Sequence, residues 1–201
     1  KQESVRDTAA GSAENGGSLS PQEQNAVENM RNLKTKEQAD NATRNLLAHH
    51  LTLENAYLTK NQDNRYLWRL SYSDDNQSNS LNATVDAQSG QVLSFYRYQK
   101  NDLPEKTTLK SHQDCQKLAD DFLKKAAPDQ LKQSRLVNDT DVNDDDRYST
   151  IHYQRLVNGI VFVDDGLSVV VDRATGQIIS YNLNWLFNAE FPAIDQIKTI
   201  G

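Results

Sequence analysis

The sequence predicts an α+β fold of two tandem units, each laying one helix across an antiparallel β-meander. Three observations lead there. Two helical stripes, each opened by a capping signal, recur 76 positions apart, from Ala39 to Cys115. After each stripe the apolar period switches from that of a helix to the alternation of a strand. Finally, an eleven-residue hairpin sequence appears twice without a gap.

The elements follow in chain order. Residues 1–19 mix Gly11, Gly16 and Gly17 with Ser, Ala, Asn and Glu and carry almost no apolar content. They bury too little surface to offset ordering entropy, so they read as a disordered leader. Residues 20–34 read as a short helix. Ser20 is a good N-cap, Pro21 suits the first helical position, and Glu23 completes a capping box. Val27, Met30 and Leu33 then share one face.

The first unit spans 35–107. Thr35 and Gln38 form a second capping box, and Ala39, Ala42, Leu46 and Leu47 make one buried helical stripe. Tyr66, Trp68, Leu70 and Tyr72 alternate with more polar neighbours, as in a half-buried strand. The runs 81–86 and 91–98, joined through Ser89-Gly90, complete the meander.

The second unit spans 108–187. Ser111 and Asp114 open its helix, with Cys115, Leu118, Phe122 and Leu123 inward, and Pro128 ends it. Strands are expected at 131–137 and 148–157, with Asn158-Gly159 as a tight hairpin turn. Further strands at 167–172 and 177–183 join through Thr175-Gly176. Residues 188–201 read as a linker or the start of a further element.

The repeated hairpin runs from Val85 to Phe95 and again from Val171 to Tyr181. Five of its eleven positions are identical and four more are close swaps. Self-similarity of this kind marks a duplicated unit. The offset grows from 76 in the helices to 86 here, so the second unit holds about ten extra residues, in or near Asn138 to Arg147. In each copy the aspartate can accept hydrogen bonds from the backbone of the turn it begins, and the glycine supplies a positive φ. The hairpin therefore reads as structure and not as a site.

Composition excludes several classes. The net charge of −6 gives no electrostatic footprint for nucleic acid. No apolar run approaches the roughly 18 residues a membrane-spanning helix needs. The start, Lys1 to Arg6, lacks the apolar core of an intact signal peptide. The one cysteine, Cys115, permits no internal disulfide.

The order helix, meander, then V-D-x-x-[ST]-G-x-[VI]-x-S resembles the PepSY-like superfamily, which includes propeptide domains of thermolysin-type proteases. Tyr153-Gln154-Arg155-Leu156-Val157-Asn158-Gly159-Ile160, then Gly166, and the ending Tyr181-Asn182-Leu183-Asn184-Trp185, resemble the YcdB/YcdC repeat proteins of Gram-positive bacteria more closely. The resemblance covers residues 35 to 187 and is stronger in the second unit, since the first lacks the Asn-Gly turn. It implies two PepSY-like repeats in an extracellular or cell-surface protein. It also implies partners among extracellular proteases or cell-envelope proteins, no catalytic residue set, and a membrane link only through a lipid anchor absent from this chain.

Other constellations point more weakly. Asp139, Asp141, Asn143 and Asp145 present oxygens at alternate positions, as calcium loops do. Position six of that loop is Asp144 instead of glycine and position twelve is Thr150 instead of glutamate, so a solvated loop is the stronger reading. His49, His50, His112 and His152 show no spacing that would converge on zinc. Cys115, on the inner stripe, reads as a small buried hydrophobe. Tyr57, Tyr66, Trp68, Tyr72, Phe95, Tyr96 and Tyr98 make the first sheet aromatic, and an exposed subset would suit peptide or glycan. No nucleophile elbow, Walker loop or dinucleotide-binding turn is present, and no cofactor is expected.

The leading functional expectation is a non-catalytic extracytoplasmic binding module that recognises or restrains an extracellular protease or envelope component. Its expected contact surfaces are exposed sheet edges and the hairpin at Asn158-Gly159, flanked by Tyr153 and Arg155. A structural spacer of a cell-surface protein is the second reading, and a hydrolase with an unrecognised site the third.

Overall fold

Eight strands form a single antiparallel sheet in the computed structural model, which describes residues 20–100, 107–137, 146–187, 189 and 191. The chain divides into two units, Lys1–Asn32 and Leu33–Gly201. The described part of the first unit is one helix, α1 (Pro21–Arg31), with proline at its first position as expected. The helix stops at Arg31, so Leu33 lies beyond the stripe assigned to it. The side chain of Glu23 lies outside the described ones.

The second unit runs α2 (Lys36–Leu47), β1 (Thr52–Lys60), β2 (Tyr66–Ser73), β3 (Asn79–Asp86), β4 (Val92–Gln99), α3 (His112–Ala126), α4 (Pro128–Lys132), β5 (Ser134–Leu136), β6 (Tyr148–Val157), β7 (Ile160–Asp172) and β8 (Ile178–Asn184). The strand order is β1-β2-β3-β4-β8-β7-β6-β5. Each half of the sheet thus counts inward from its own edge, and the halves meet where β4 pairs with β8.

Both long helices begin where side-chain chemistry starts them. At α2 the Gln38 amide donates to Thr35 Oγ1 (3.3 Å) and the Thr35 amide to Gln38 Oε1 (2.9 Å), the reciprocal box the sequence predicts. At α3 the Asp114 amide donates to Ser111 Oγ at 3.1 Å. The inward stripe of α2 is rotated from the expected one. Ala39 and Thr43 are fully buried and Ala42 only partly so, because the Thr43 hydroxyl satisfies itself on the Ala39 carbonyl (3.0 Å). In α3 the stripe is Cys115, Ala119, Leu123 and Ala126.

Within this unit α2, α3 and α4 pack on one face of the sheet. Strand register places Leu70, Ala83, Phe95, Tyr181, Val169 and Ile151 in one row across six strands, none more than 4% exposed. Fully burying one such side chain contributes roughly 1.5–3 kcal/mol, so this row and the helix stripes form the core. Phe122 of α3 joins the halves, its ring 5.8 Å from Phe95 of β4 and 5.2 Å from Tyr181 of β8. Trp68 donates its indole N–H to the Lys34 carbonyl at 2.8 Å, which ties the entry to α2 onto the sheet.

Two expectations are corrected, and one strand, β1, is added to those read from the sequence. The strand expected at 131–137 shrinks to β5, because Pro128 opens a further helical turn instead of ending the helix outright, its fixed φ suiting a first helical position. β1 carries no alternation in the sequence because it is an edge strand, exposed along most of its length. The strand expected at 167–172 begins at Ile160, so the hairpin at Asn158-Gly159 has two long arms.

One core neighbour sets an acid limit. The His49 ring packs edge-on against Tyr72 (4.5 Å), and both its nitrogens are buried without hydrogen-bond partners among the described residues. Burial first, then the charges of Arg44 and Arg97, push its pKa from 6.5 to about 4. The imidazole is therefore neutral in the fold and protonates more readily once unfolded, so stability falls as pH drops from 6.5 towards 4. After allowance for solvent screening the loss is about 1–2 kcal/mol. Urea midpoints at pH 7.5 and 4.5 read it, and His49→Phe should remove most of the difference.

Candidate binding surfaces

The two repeated turns are built alike. Asp86 Oδ1 accepts from the Ser89 amide (2.7 Å) and the Ser89 hydroxyl (2.8 Å), while Oδ2 takes Arg65 Nη2 at 2.7 Å. Asp172 Oδ1 accepts from the Ala174 amide (2.9 Å), and Oδ2 takes Arg147 Nη2 at 2.8 Å. Burial works to raise both carboxyls, but these hydrogen bonds and the facing arginine outweigh it and hold each below the usual carboxylate range. Lys34 and Lys110 likewise donate their amides to the Ala87 and Arg173 carbonyls. As the sequence indicates, this is turn chemistry, and the carboxylates are consumed by it.

The β6–β7 hairpin differs in kind, because its tip is apolar and open. Leu156 is 37% exposed, Ile160 50% and Val163 77%, with Leu186 beside the hairpin base at 55%. Asn158 and Gly159 have φ of 53° and 79°, the positive pair a type I′ turn requires. Near the base the register slips. Gln154 faces Gly166 while the next residue, Arg155, faces Phe162, so residues 163–165 bulge from β7.

That bulge is fixed by one buried arginine. Arg155 Nη1 donates to Asp165 Oδ2 (2.9 Å) and to the Leu186 carbonyl (3.1 Å). Its guanidinium lies 4.3 Å from the Trp185 ring and 4.5 Å from that of Phe191. Asp165 Oδ1 accepts from the Leu186 amide at 3.1 Å. A rigid base therefore presents an exposed apolar tip, the arrangement by which protein partners are engaged.

A second opening lies at the seam of the sheet. β4 and β8 pair over only three positions, Ser94–Asn182 to Tyr96–Ser180. Beyond them the strands part around a cavity of about 400 Å³ lined by Tyr96, Tyr98, Gln99, Arg147, Tyr148 and Ile179 among others. Tyr96, Tyr98 and Tyr148 are exposed, and the Arg147 guanidinium lies 5.3 Å from the Tyr148 ring.

A family model described as the YcdB, YcdC repeated domain matches residues 36–185. The chain belongs to that family. Among solved structures it is similar to the Bacillus megaterium YpeB C-terminal domain, at 14% identity and a TM-score of 0.60, over 81% of this chain and 69% of that one. At that identity the likeness concerns the fold. A search of curated proteins gives no match.

In this member of the YcdB/YcdC family, the residues expected at a contact surface separate into two groups. Asn158 and Gly159 stand at the exposed tip. Tyr153 and Arg155 do not flank it on the surface, since both are buried. The Tyr153 hydroxyl donates to Asp120 of α3, and burial first, then that carboxylate, drives its pKa up. Both face inward because they continue the phase of Ser149 and Ile151, every second residue of β6 being buried. That phase was the available signal, and an acid placed to neutralise a buried arginine was the missing half of it.

The calcium candidates Asp139, Asp141, Asn143 and Asp145 lie outside the described residues. Among the described residues no three His, Cys, Asp or Glu side chains gather as a metal site, and no helix is long and apolar enough to cross a membrane. Cys115 is fully buried, and burial raises its thiol pKa, as suits a packing residue. One polar pair was not foreseen: Ser149 Oγ lies 2.6 Å from His112 Nδ1. At 3% exposure Ser149 is out of reach of a substrate in solution, so the pair pins the first turn of α3 to β6.

Proposed function

We propose that this chain is a non-catalytic extracytoplasmic binding module that recognises a protein partner, an extracellular protease or a cell-envelope component. In this reading residues 35–107 and 108–187 are two PepSY-like repeats, preceded by the leader 1–19 and the helix 20–34 and followed by a connection from 188. Family membership, the mirrored strand order and the matching hydrogen bonds at the Asp86 and Asp172 turns support the duplication. The family resemblance supports a place outside the cytoplasm, with any membrane link made by a lipid anchor. Fold alone does not fix function. The observation that carries the reading is the exposed apolar tip of the β6–β7 hairpin on its buried Arg155–Asp165 base.

Affinity capture tests it. The immobilised chain is exposed to the culture medium and envelope fraction of its own organism, with mass spectrometry as readout. The same capture is run with the triple variant Leu156→Ser, Ile160→Ser, Val163→Ser. One protein should be enriched by the unmodified chain and fall at least ten-fold with the variant. Equal recovery by both, or nothing above background, would favour the spacer reading.

A further inference from the structure

The two arginine–aspartate turns share their internal chemistry but not their surroundings. At one, the chain leaving β8 crosses the Arg65–Asp86 pair and lays Phe187 on the guanidinium, 3.7 Å from the ring centroid. At the other, the Arg147–Asp172 pair borders the seam cleft between the end of β4 and the start of β8. The strand order places these ends in corresponding positions. β8 ends beside the first turn, and β4 ends beside the second. The first position carries the chain's own Trp185-Leu186-Phe187 beside a smaller cavity of about 260 Å³, and the second is a cavity of about 400 Å³ bordered by the strand ends.

We infer that the seam cleft binds an extended, uncharged peptide segment of a protein partner and receives its aromatic side chain against Arg147, as Arg65 receives Phe187. This inference rests on the duplicated reading of the fold. Three features fix the chemistry of the occupant. The lining is aromatic and aliphatic, with Tyr96, Tyr98, Tyr148 and Ile179, so it suits an apolar or aromatic group. The ionised groups on its wall, Arg147 and Asp172, are paired at 2.8 Å and neutralise each other. Arg97 also lines the cleft, but its Nη2 donates to the Leu47 carbonyl at 3.1 Å, so the charge balance of the lining favours an uncharged segment. Lastly, β4 and β8 part here, and strand edges that do not pair with each other can accept the backbone of an extended segment.

The probe is the blocked, fluorescein-labelled peptide Asn-Trp-Leu-Phe-Asn, built around the Trp185-Leu186-Phe187 that lies at the corresponding position, titrated with the whole chain and read by anisotropy. Saturable binding is expected, weakened at least ten-fold by Tyr98→Ala or Tyr148→Ala, unchanged by Tyr57→Ala elsewhere on the open face, and absent for the peptide with aspartate in place of Trp and Phe. Circular dichroism confirms that each variant is folded. Binding that ignores Tyr98 and Tyr148, or no binding at all, overturns the inference. So does self-association abolished by Tyr98→Ala, which would seat a second copy in the cleft. Loss of the peptide result with retained capture of a partner by the hairpin tip would remove the cleft assignment and leave the binding-module reading standing.

Discussion

Arg155→Ala should cost about 3–5 kcal/mol of folding stability, the range for removing one partner of a buried ion pair. The side chain joins three segments at once: β6, the Asp165 bulge of β7, and the tail Trp185 to Phe191 after β8. With the arginine gone, Asp165 stays buried at 4% exposure with its charge uncompensated, and the Leu186 carbonyl loses a donor. Arg155→Lys should recover only part of the loss, since an ammonium cannot both fork to these acceptors and stack between two rings. The double change Arg155→Met, Asp165→Leu should recover most of it, because a packed apolar pair removes the buried charge altogether. Urea unfolding of the four proteins reads these values. A loss below about 1 kcal/mol for Arg155→Ala would mean that Asp165 re-solvates freely and that the hairpin base is not rigid.

Gly166→Ala should be nearly as severe, at about 3 kcal/mol. A Cβ built at Gly166 would sit 2.0 Å from the Tyr153 carbonyl oxygen, so the backbone of β6 or β7 has to move. This glycine is required by close approach, at the point where the register slips. Gly159→Ala supplies the contrast. Nothing lies within 4 Å of its added Cβ, and the strain is confined to a φ of 79°. It should cost about 1 kcal/mol, the penalty of a left-handed conformation for a residue with a side chain. Hydrogen exchange should show Gly166→Ala loosening β6 and β7 together, and Gly159→Ala loosening only the tip. Equal effects from the two would contradict the register described for the bulge.

Where local chemistry decides the structure, the sequence already carries the answer. Thr35 with Gln38, Ser111 with Asp114, and Asn158 with Gly159 each act over three residues or fewer, and the structure places all three as expected. The alternation of Leu70 and Tyr72 identifies a strand because one face of that strand is covered. β1 escapes the same reading because an edge strand is under little pressure to alternate. The stretch 128–136 escapes it because a proline that halts one helix is also suited to start another. The candidate surfaces were half legible. The turn at Asn158-Gly159 announces a hairpin, but the burial of Arg155 depends on Asp165, Trp185 and Phe191, which converge only in three dimensions. The seam cleft has no sequence signal at all, since it arises where two strands distant in the chain stop pairing.

The assembled picture separates stabilising from recognising residues. Asp86, Asp172, Arg155 and Tyr153 are occupied by internal partners, so substitutions there should act through stability. Val163 touches little of the fold, whereas Leu156 and Ile160 keep half or more of their surface covered, so polar substitution of all three should cost about 2–3 kcal/mol in total, mostly at those two.

Calorimetric titration of the captured partner against the unmodified chain and the Leu156→Ser, Ile160→Ser, Val163→Ser variant, with urea unfolding of both measured in parallel, tests the central claim most directly. The account predicts saturable binding by the unmodified chain and affinity at least ten-fold weaker in a variant that remains folded at the titration temperature. Unchanged affinity in that variant, or no saturable heat with the unmodified chain, would contradict it.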